Sequence, residues 1–168
     1  MENNSYVQKQ YWSTLTYTDY SITYYNKLQK RFACIAKVIN IFSAIMATSS
    51  VALWSFWGKI PWLWPILIAF AELIHVVWPL ISVEKLIPKL INLIYATRQE
   101  YLIFEKDWLY VRNGELTEKE INDKISKFKM TINKLEKDIL DGYTITIYKN
   151  LLKKSEIESN KYFENNFY

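Results

Sequence analysis

Two long apolar blocks dominate the hydrophobic pattern in the first half of the chain. Residues 38–57 contain no charged side chain, and residues 60–83 contain only two ionisable ones, Glu72 and His75. A helix of about twenty residues rises about 30 Å, which is the thickness of the hydrocarbon core of a bilayer. Because only a Gly-Lys pair separates the blocks, the pattern predicts two transmembrane helices that pair as an antiparallel hairpin.

Aromatic and basic residues mark the ends of these blocks. Five of the seven tryptophans lie between positions 54 and 78, as in the aromatic belt of a membrane interface. The turn carries one lysine, whereas the outer flanks carry Lys27, Lys30, Arg31, Lys37, Lys85, Lys89 and Arg98. The positive-inside rule therefore predicts that both termini are cytoplasmic. The alternative is a helical hairpin buried in a soluble protein.

The polar parts of the chain also show helical periodicity. A helix is predicted from about Thr18 into the first span. After the second span, Pro88 either starts a new helix or kinks a continuous one. The residues that recur there every three or four positions are Leu86, Leu90, Leu93, Thr97, Tyr101, Phe104, Trp108 and Val111.

Local signals divide the C-terminal part into further helices. Asn113-Gly114 is typical of a helix end, and Thr117 followed by Glu120 is the capping-box pattern that opens the next helix. The apolar stripe of that helix is Ile121, Ile125, Phe128, Ile132, Leu135 and Ile139. Asp141-Gly142 breaks the pattern, and residues 143–168 are predicted as a third helix, although 143–148 alone would suit a strand.

The expected fold class is therefore an all-α membrane protein. It would be a two-span transmembrane helical hairpin with an N-terminal amphipathic helix and long C-terminal cytoplasmic helices. The corresponding segments are 1–37, 38–83 and 84–168, with spans at about 38–57 and 60–83.

The chain lacks the residues that most catalytic and metal chemistry requires. It has one cysteine, Cys34, and one histidine, His75, and it has no glycine-rich phosphate loop. The two lie 41 positions apart, so most nucleophilic and Cys/His metal chemistry lacks its parts. We therefore expect no enzymatic activity, no cofactor and no metal.

Glu72 and His75 are the ionisable pair in the second block. They are three residues apart, so they share a helix face, and a charge at that depth usually faces a bundle interior or an aqueous path. One hypothesis makes both residues pore-lining. A second makes Glu72 a structural hydrogen-bonding group, and a third takes Glu-x-x-His as half of a di-metal motif.

The first block has a face of small and polar residues that would match this pair. Asn40, Ser43 and Ser50 lie on it and are the other predicted pore-lining residues. Packing within the hairpin explains the same face without a pore.

Lysines are frequent on the helix that Thr117 opens. A solvated coiled-coil face explains these lysines most simply. The functional alternative makes Lys124, Lys127, Lys134 and Lys137 candidates for binding an anionic signal.

The order of these parts resembles the SLATT family of bacterial two-span effectors. The similar local stretch runs from Trp108 to Glu120, where a tryptophan-bearing helix ends and a capped helix begins, and the architectural match covers about 18–155. The resemblance implies a pore-forming effector of anti-phage defence that causes abortive infection in the bacterial inner membrane. It also implies a homo-oligomer, expected as a tetramer, controlled by a nucleotide or oligonucleotide from a cognate nucleotidyltransferase-like enzyme. Two rival functions are a membrane-anchored coiled-coil adaptor and a holin-like toxin.

Overall fold

The fold was analysed in a computed structural model that describes residues 2–52, 62–80 and 83–167. In these ranges the chain is all-helical, with α1 Glu2–Ala52, α2 Leu63–Leu80, α3 Val83–Arg112, α4 Glu118–Leu140 and α5 Lys149–Phe167. The chain divides into two compact units. The bundle unit comprises residues 1–29 and 89–168, and the apolar unit comprises residues 30–88.

Helix α1 begins 16 residues before the start predicted from the sequence, at Glu2 instead of Thr18. Val7, Tyr11 and Leu15 recur every four residues and are almost completely buried. This spacing is the apolar stripe of a helix. The stripe is difficult to recognise in the sequence because tyrosine and threonine supply many of its positions.

The apolar stripes predicted for α3 and α4 are confirmed. In α3, Leu90, Leu93, Tyr101 and Val111 are completely buried. Ile121, Ile125 and Phe128 are the buried residues of α4. Both stripes therefore face the interior of the bundle unit, where burial of their side chains stabilises the fold.

The predicted end of α3 and the predicted start of α4 are also confirmed. Gly114 adopts a φ of 72° just after α3 ends, a conformation that glycine enters at low cost. Thr117 is the N-cap of α4, and its side chain and that of Glu120 form the reciprocal capping box. Pro88 lies inside α3, so it does not start a new helix.

The core of the bundle unit is aromatic. The Tyr11 ring stacks on Phe104 with centroids 3.9 Å apart, and Phe104 stacks on Phe128 at 4.1 Å. Trp12 and Trp108 lie beside them with centroids 4.9 Å apart. The stack thus joins α1, α3 and α4.

The segment between α4 and α5 is neither the predicted helix nor the alternative strand. Residues 143–148 have no regular secondary structure, and α5 begins at Lys149. The Tyr24 hydroxyl lies 3.2 Å from both the Thr146 carbonyl oxygen and the Tyr148 amide nitrogen. The hydroxyl donates to the carbonyl oxygen and accepts from the amide. These two backbone groups therefore bond to a side chain of α1 and not to a neighbouring strand.

The prediction of a multi-pass protein of the inner membrane is contradicted. None of the helices in the described ranges combines the length and the apolar character needed to cross a bilayer. The described part of the first block ends at Ala52, and α2 has 18 residues and includes Glu72, His75 and two prolines. Residues 53–61 and 81–82, which complete the predicted spans and their turn, lie outside the described residues.

Candidate functional site

The predicted pore-lining residues belong to α1 and α2. Asn40 is exposed and Ser43 is half-buried on α1, and Glu72 is exposed on α2. Ser50 and His75 lie in the same two helices, but their side chains are outside the described residues. The predicted convergence of these five side chains on one path stays a prediction.

The surroundings of Asn40, Ser43 and Glu72 are strongly apolar. Large apolar side chains of α1 and α2 in the apolar unit are between 42% and 63% exposed. We call them the apolar surface: Val38, Ile41, Ile45, Ile66, Ile68, Phe70, Leu73 and Val76. The three members on α1 are spaced three and four residues apart, so they share one helix face. Many exposed apolar side chains on neighbouring positions usually mark an interaction site.

The predicted signal-binding lysines lie on α4, and their role in binding a signal stays a prediction. Lys127, Lys134 and Lys137 are exposed on α4. Lys124 is half-buried, and its Nζ lies 2.5 Å from Asp107 Oδ2 on α3. Lys124 therefore connects two helices of the bundle unit, and the interpretation of the others as a solvated helix face remains open beside anion binding.

A buried charged cluster in the bundle unit was not predicted from the sequence. The Asp19 carboxylate on α1 is 7% exposed and accepts two hydrogen bonds. One is from the Arg98 guanidinium on α3 at 3.2 Å, and the other is from the Ser159 hydroxyl on α5 at 2.8 Å. We call these three residues the Asp19 cluster. It joins three helices through one carboxylate, and Arg98 also lies 4.9 Å from the centre of the Tyr101 ring.

Glu105 lies seven residues after Arg98 on α3 and, like Asp19, accepts two hydrogen bonds from other side chains. Its Oε1 accepts hydrogen bonds from the Tyr162 hydroxyl at 2.7 Å and from the Tyr101 hydroxyl at 3.0 Å. Burial, followed by these contacts with Glu105, raises the pKa of Tyr162 to about 12. The pKa of Tyr101 is raised further, again chiefly by burial. Both phenols are therefore protonated donors at neutral pH.

The pKa of Asp19 is also raised, because burial disfavours its charged form more than its partners favour it. The hydrogen bond from Ser159 and the charge of Arg98 act in the opposite direction. A carboxylate in this position depends on its two donors to remain charged. Removal of either donor is therefore expected to lower the stability of the bundle unit.

The Asp19 cluster lies at the wall of an open cavity of about 620 Å³. Asp19, Arg98, Tyr162 and Asn26 are among the residues that line it. Arg98 is 38% exposed, so its guanidinium is accessible from solvent. The cluster could position a polar ligand electrostatically, but its carboxylate and hydroxyls are already hydrogen-bonded to each other.

No signal in the sequence connects the members of the Asp19 cluster to one another. A signal for Asp19 alone does exist, because it follows Leu15 by four residues and so falls on the buried stripe of α1. An acid on an apolar helix face requires a partner. The sequence does not identify that partner.

Within the described ranges, no group of three or more His, Cys, Asp or Glu residues could hold a metal ion. No protein-family model, no curated protein and no solved structure matched the sequence. Nothing from the family comparison indicates an enzymatic function. The interpretation of function therefore depends on the surfaces and cavities of this chain alone.

Proposed function

We propose that the protein is a non-catalytic helical effector that acts by self-association through its apolar surface. The observation that supports this function is the exposure of the apolar surface on α1 and α2. Burial of apolar side chains against a partner is favourable, at about 25 cal/mol for each Å² removed from water.

A second copy of the chain is the partner that fits this surface best. Between positions 38 and 52 α1 carries no charged side chain, so a partner with charged groups there would lose their hydration without gaining an ion pair. An identical copy presents an equally apolar surface. Two copies related by a two-fold axis would cover it on both sides.

The mass of the full-length protein in solution tests this proposal. We expect a multiple of the 20.1 kDa chain mass by light scattering after size-exclusion chromatography. Leu73→Glu places a charge on the apolar surface, where Leu73 is 57% exposed, and should shift the protein towards the monomer. Ile103→Glu is the matched control, because Ile103 is 61% exposed on α3 in the bundle unit and should leave the mass unchanged.

Two results would refute self-association through this surface. The first is a wild-type protein that is monomeric at concentrations of about 100 μM, well above the dissociation constants of stable oligomers. The second is equal dissociation by Leu73→Glu and Ile103→Glu, which would show that any new surface charge has this effect.

The resemblance to SLATT effectors gives self-association a biological setting in anti-phage defence. Pore formation and control by a nucleotide signal stay predictions. A gene for a nucleotidyltransferase-like enzyme beside this one would support the defence role. An unchanged number of phage plaques on cells that express both genes would contradict it.

A further inference from the structure

The segment between α4 and α5 has the side-chain pattern of a β-strand, although no strand pairs with it among the described residues. Residues 143–148, which we call the edge segment, read Tyr-Thr-Ile-Thr-Ile-Tyr and carry no charge. Ile145 and Ile147 line a cavity of about 250 Å³ together with tyrosines of α1, whereas Thr144 and Thr146 are exposed. This alternation of side chains with a period of two is that of an extended chain.

One edge of this segment is occupied by Tyr24 of α1. Its hydroxyl lies 3.2 Å from both the Thr146 carbonyl oxygen and the Tyr148 amide nitrogen. The peptide bonds of the described residues are trans, so the carbonyl and the amide of one peptide unit point in opposite directions. The Ile147 amide shares a peptide unit with the Thr146 carbonyl, and the Ile147 carbonyl shares one with the Tyr148 amide. Both backbone polar groups of Ile147 therefore point away from Tyr24.

The opposite edge of the segment is unpaired. Within the described ranges, the backbone amide and carbonyl groups of Ile147 and of Ile145 have no hydrogen-bond partner. Residues two positions apart in an extended chain direct these groups to the same edge. Ile147 is 69% exposed and Thr146 is also exposed, so this part of the segment is accessible. An accessible row of unpaired backbone groups is a template for another strand.

The sequence around the edge segment identifies the strand that fits it. Uncharged runs of β-branched and aromatic residues without proline pair readily with copies of themselves. Exposed charges of opposite sign flank the run, with Asp141 before it and Lys149 after it. In an antiparallel pair with Ile145 opposite Ile145, Asp141 of each chain would be opposite Lys149 of the other, which is favourable. A parallel pair would place equal charges side by side. Charge complementarity therefore favours an antiparallel second copy.

We propose that the edge segment is a second self-association surface, at which two copies pair as antiparallel strands with Ile145 opposite Ile145. Each Ile145 amide would donate to the Ile145 carbonyl oxygen of the other chain, and each Ile147 amide to the Tyr143 carbonyl oxygen. The Tyr143 amide is not available, because it donates to the Leu140 carbonyl oxygen at 2.7 Å. Two short strands are only marginally stable alone, so this pairing is weaker than association through the apolar surface.

The pairing goes beyond the proposed function, because it uses residues of the bundle unit only. It is measured with full-length protein in a Leu73→Glu background, in which association through the apolar surface is weakened. Sedimentation equilibrium up to about 1 mM, a concentration that detects weak complexes, should show a monomer–dimer equilibrium. Asp141→Lys places two lysines together at each end of the paired strands and should raise the dimer Kd roughly 3- to 10-fold.

Adding Lys149→Asp to Asp141→Lys exchanges the two charges and should restore the Kd. Neither change opposes folding, because lysine at the end of α4 and aspartate at the start of α5 are both favourable for the helix dipole. Asp123→Lys is the matched control, since it makes the same change of charge at an exposed position of α4. It should leave the Kd unchanged.

Amide hydrogen exchange followed by NMR gives a residue-level test in the same background. Exchange of the Ile145 and Ile147 amides should slow as the protein concentration rises. The Thr146 amide is the internal control, because it shares a peptide unit with the Ile145 carbonyl and so points to the other edge. Its exchange should not depend on concentration.

Four results would overturn pairing at the edge segment. They are a Leu73→Glu protein that stays monomeric at about 1 mM, equal effects of Asp141→Lys and Asp123→Lys, no recovery with the exchanged charges, and exchange of Ile145 and Ile147 that is independent of concentration. None of these results bears on the apolar surface, whose own test compares Leu73→Glu with the wild type.

Discussion

The hydrogen bond from Ser159 to Asp19 can be tested with a matched pair of substitutions on one helix. Ser155 and Ser159 are one turn apart on α5 and are both buried. Ser155 donates to the carbonyl oxygen of Leu151 in its own helix at 2.8 Å, whereas Ser159 donates to the Asp19 carboxylate at 2.8 Å. Substitution of either serine by alanine removes one hydroxyl of the same kind. Only Ser159→Ala removes a donor from a buried charge.

The expected magnitudes differ for this reason. A hydrogen bond to a charged group contributes about 1.5–3 kcal/mol. The better helix propensity of alanine returns roughly 0.5 kcal/mol in both variants. Ser159→Ala should therefore lower the free energy of unfolding by about 1–2.5 kcal/mol. Ser155→Ala should stay within about 0.5 kcal/mol of the wild type, because the Leu151 carbonyl keeps its helical hydrogen bond.

The pH dependence gives a second measure of the same interaction. Burial raises the folded-state pKa of Asp19 above its ordinary value of 3.8, so this carboxyl contributes stability at low pH that is lost as pH rises through the folded pKa. Loss of the Ser159 donor raises that pKa further and makes the loss larger. The difference between the two variants should therefore be small near pH 3 and widen towards about pH 7.

Urea unfolding followed by tryptophan fluorescence is a suitable assay, since Trp12 and Trp108 pack in the core of the bundle unit. Equal unfolding midpoints for Ser155→Ala and Ser159→Ala at neutral pH would refute the assignment of a stabilising bond to Asp19. If the difference in stability between Ser155→Ala and Ser159→Ala does not change with pH, the role of the Asp19 charge is refuted.

Two further substitutions test other contacts of the bundle unit. Tyr11→Phe removes the hydrogen bond from the buried Tyr11 hydroxyl to the Phe104 carbonyl oxygen, 2.7 Å away, and should cost about 1 kcal/mol in urea unfolding. Tyr6→Phe, at a residue that is 70% exposed, is the control and should have almost no effect; equal effects would contradict the prediction. Thr117→Ala removes the N-cap of α4 and should cost about 1 kcal/mol, with a loss of helical circular dichroism on mild heating. An unchanged unfolding midpoint would show that the capping box with Glu120 does not stabilise α4.

Helical periodicity explains why much of the fold could be predicted from the sequence. The stripes of α3 and α4 use strongly apolar residues at regular spacing, and Thr117 with Glu120 is a local signal for a helix start. The stripes and the capping signal depend only on residues that are a few positions apart in the sequence. The start of α1 was predicted too late because its buried stripe includes Tyr11, a residue that is as common at surfaces as in cores.

The apolar blocks show where periodicity and length are insufficient. Their length in the sequence suggested two bilayer-spanning helices, but helix ends are set by hydrogen bonding and local geometry as well as by hydropathy. Helix α2 ends at Leu80, directly after Pro79. The contradiction of the predicted spans comes from the described helices themselves, none of which combines the length and the apolar character of a span.

The Asp19 cluster could not be predicted for a different reason. Its three members are separated by 79 and 140 positions, and a hydrogen bond across such distances depends on how three helices pack. The sequence could indicate only that an acid falls on a buried helix face.

The contrast between satisfied and unsatisfied groups is what separates structural from functional residues in this chain. The Asp19 carboxylate and the Tyr11 hydroxyl have partners at hydrogen-bond distance, so they are sufficiently explained by the stability of the bundle unit. The large side chains of the apolar surface, by contrast, are between 42% and 63% exposed on α1 and α2. Folding alone does not account for this exposure, since polar residues at the same helix positions would be compatible with the same fold. The proposed self-association would account for it, because a second copy would remove these side chains from water.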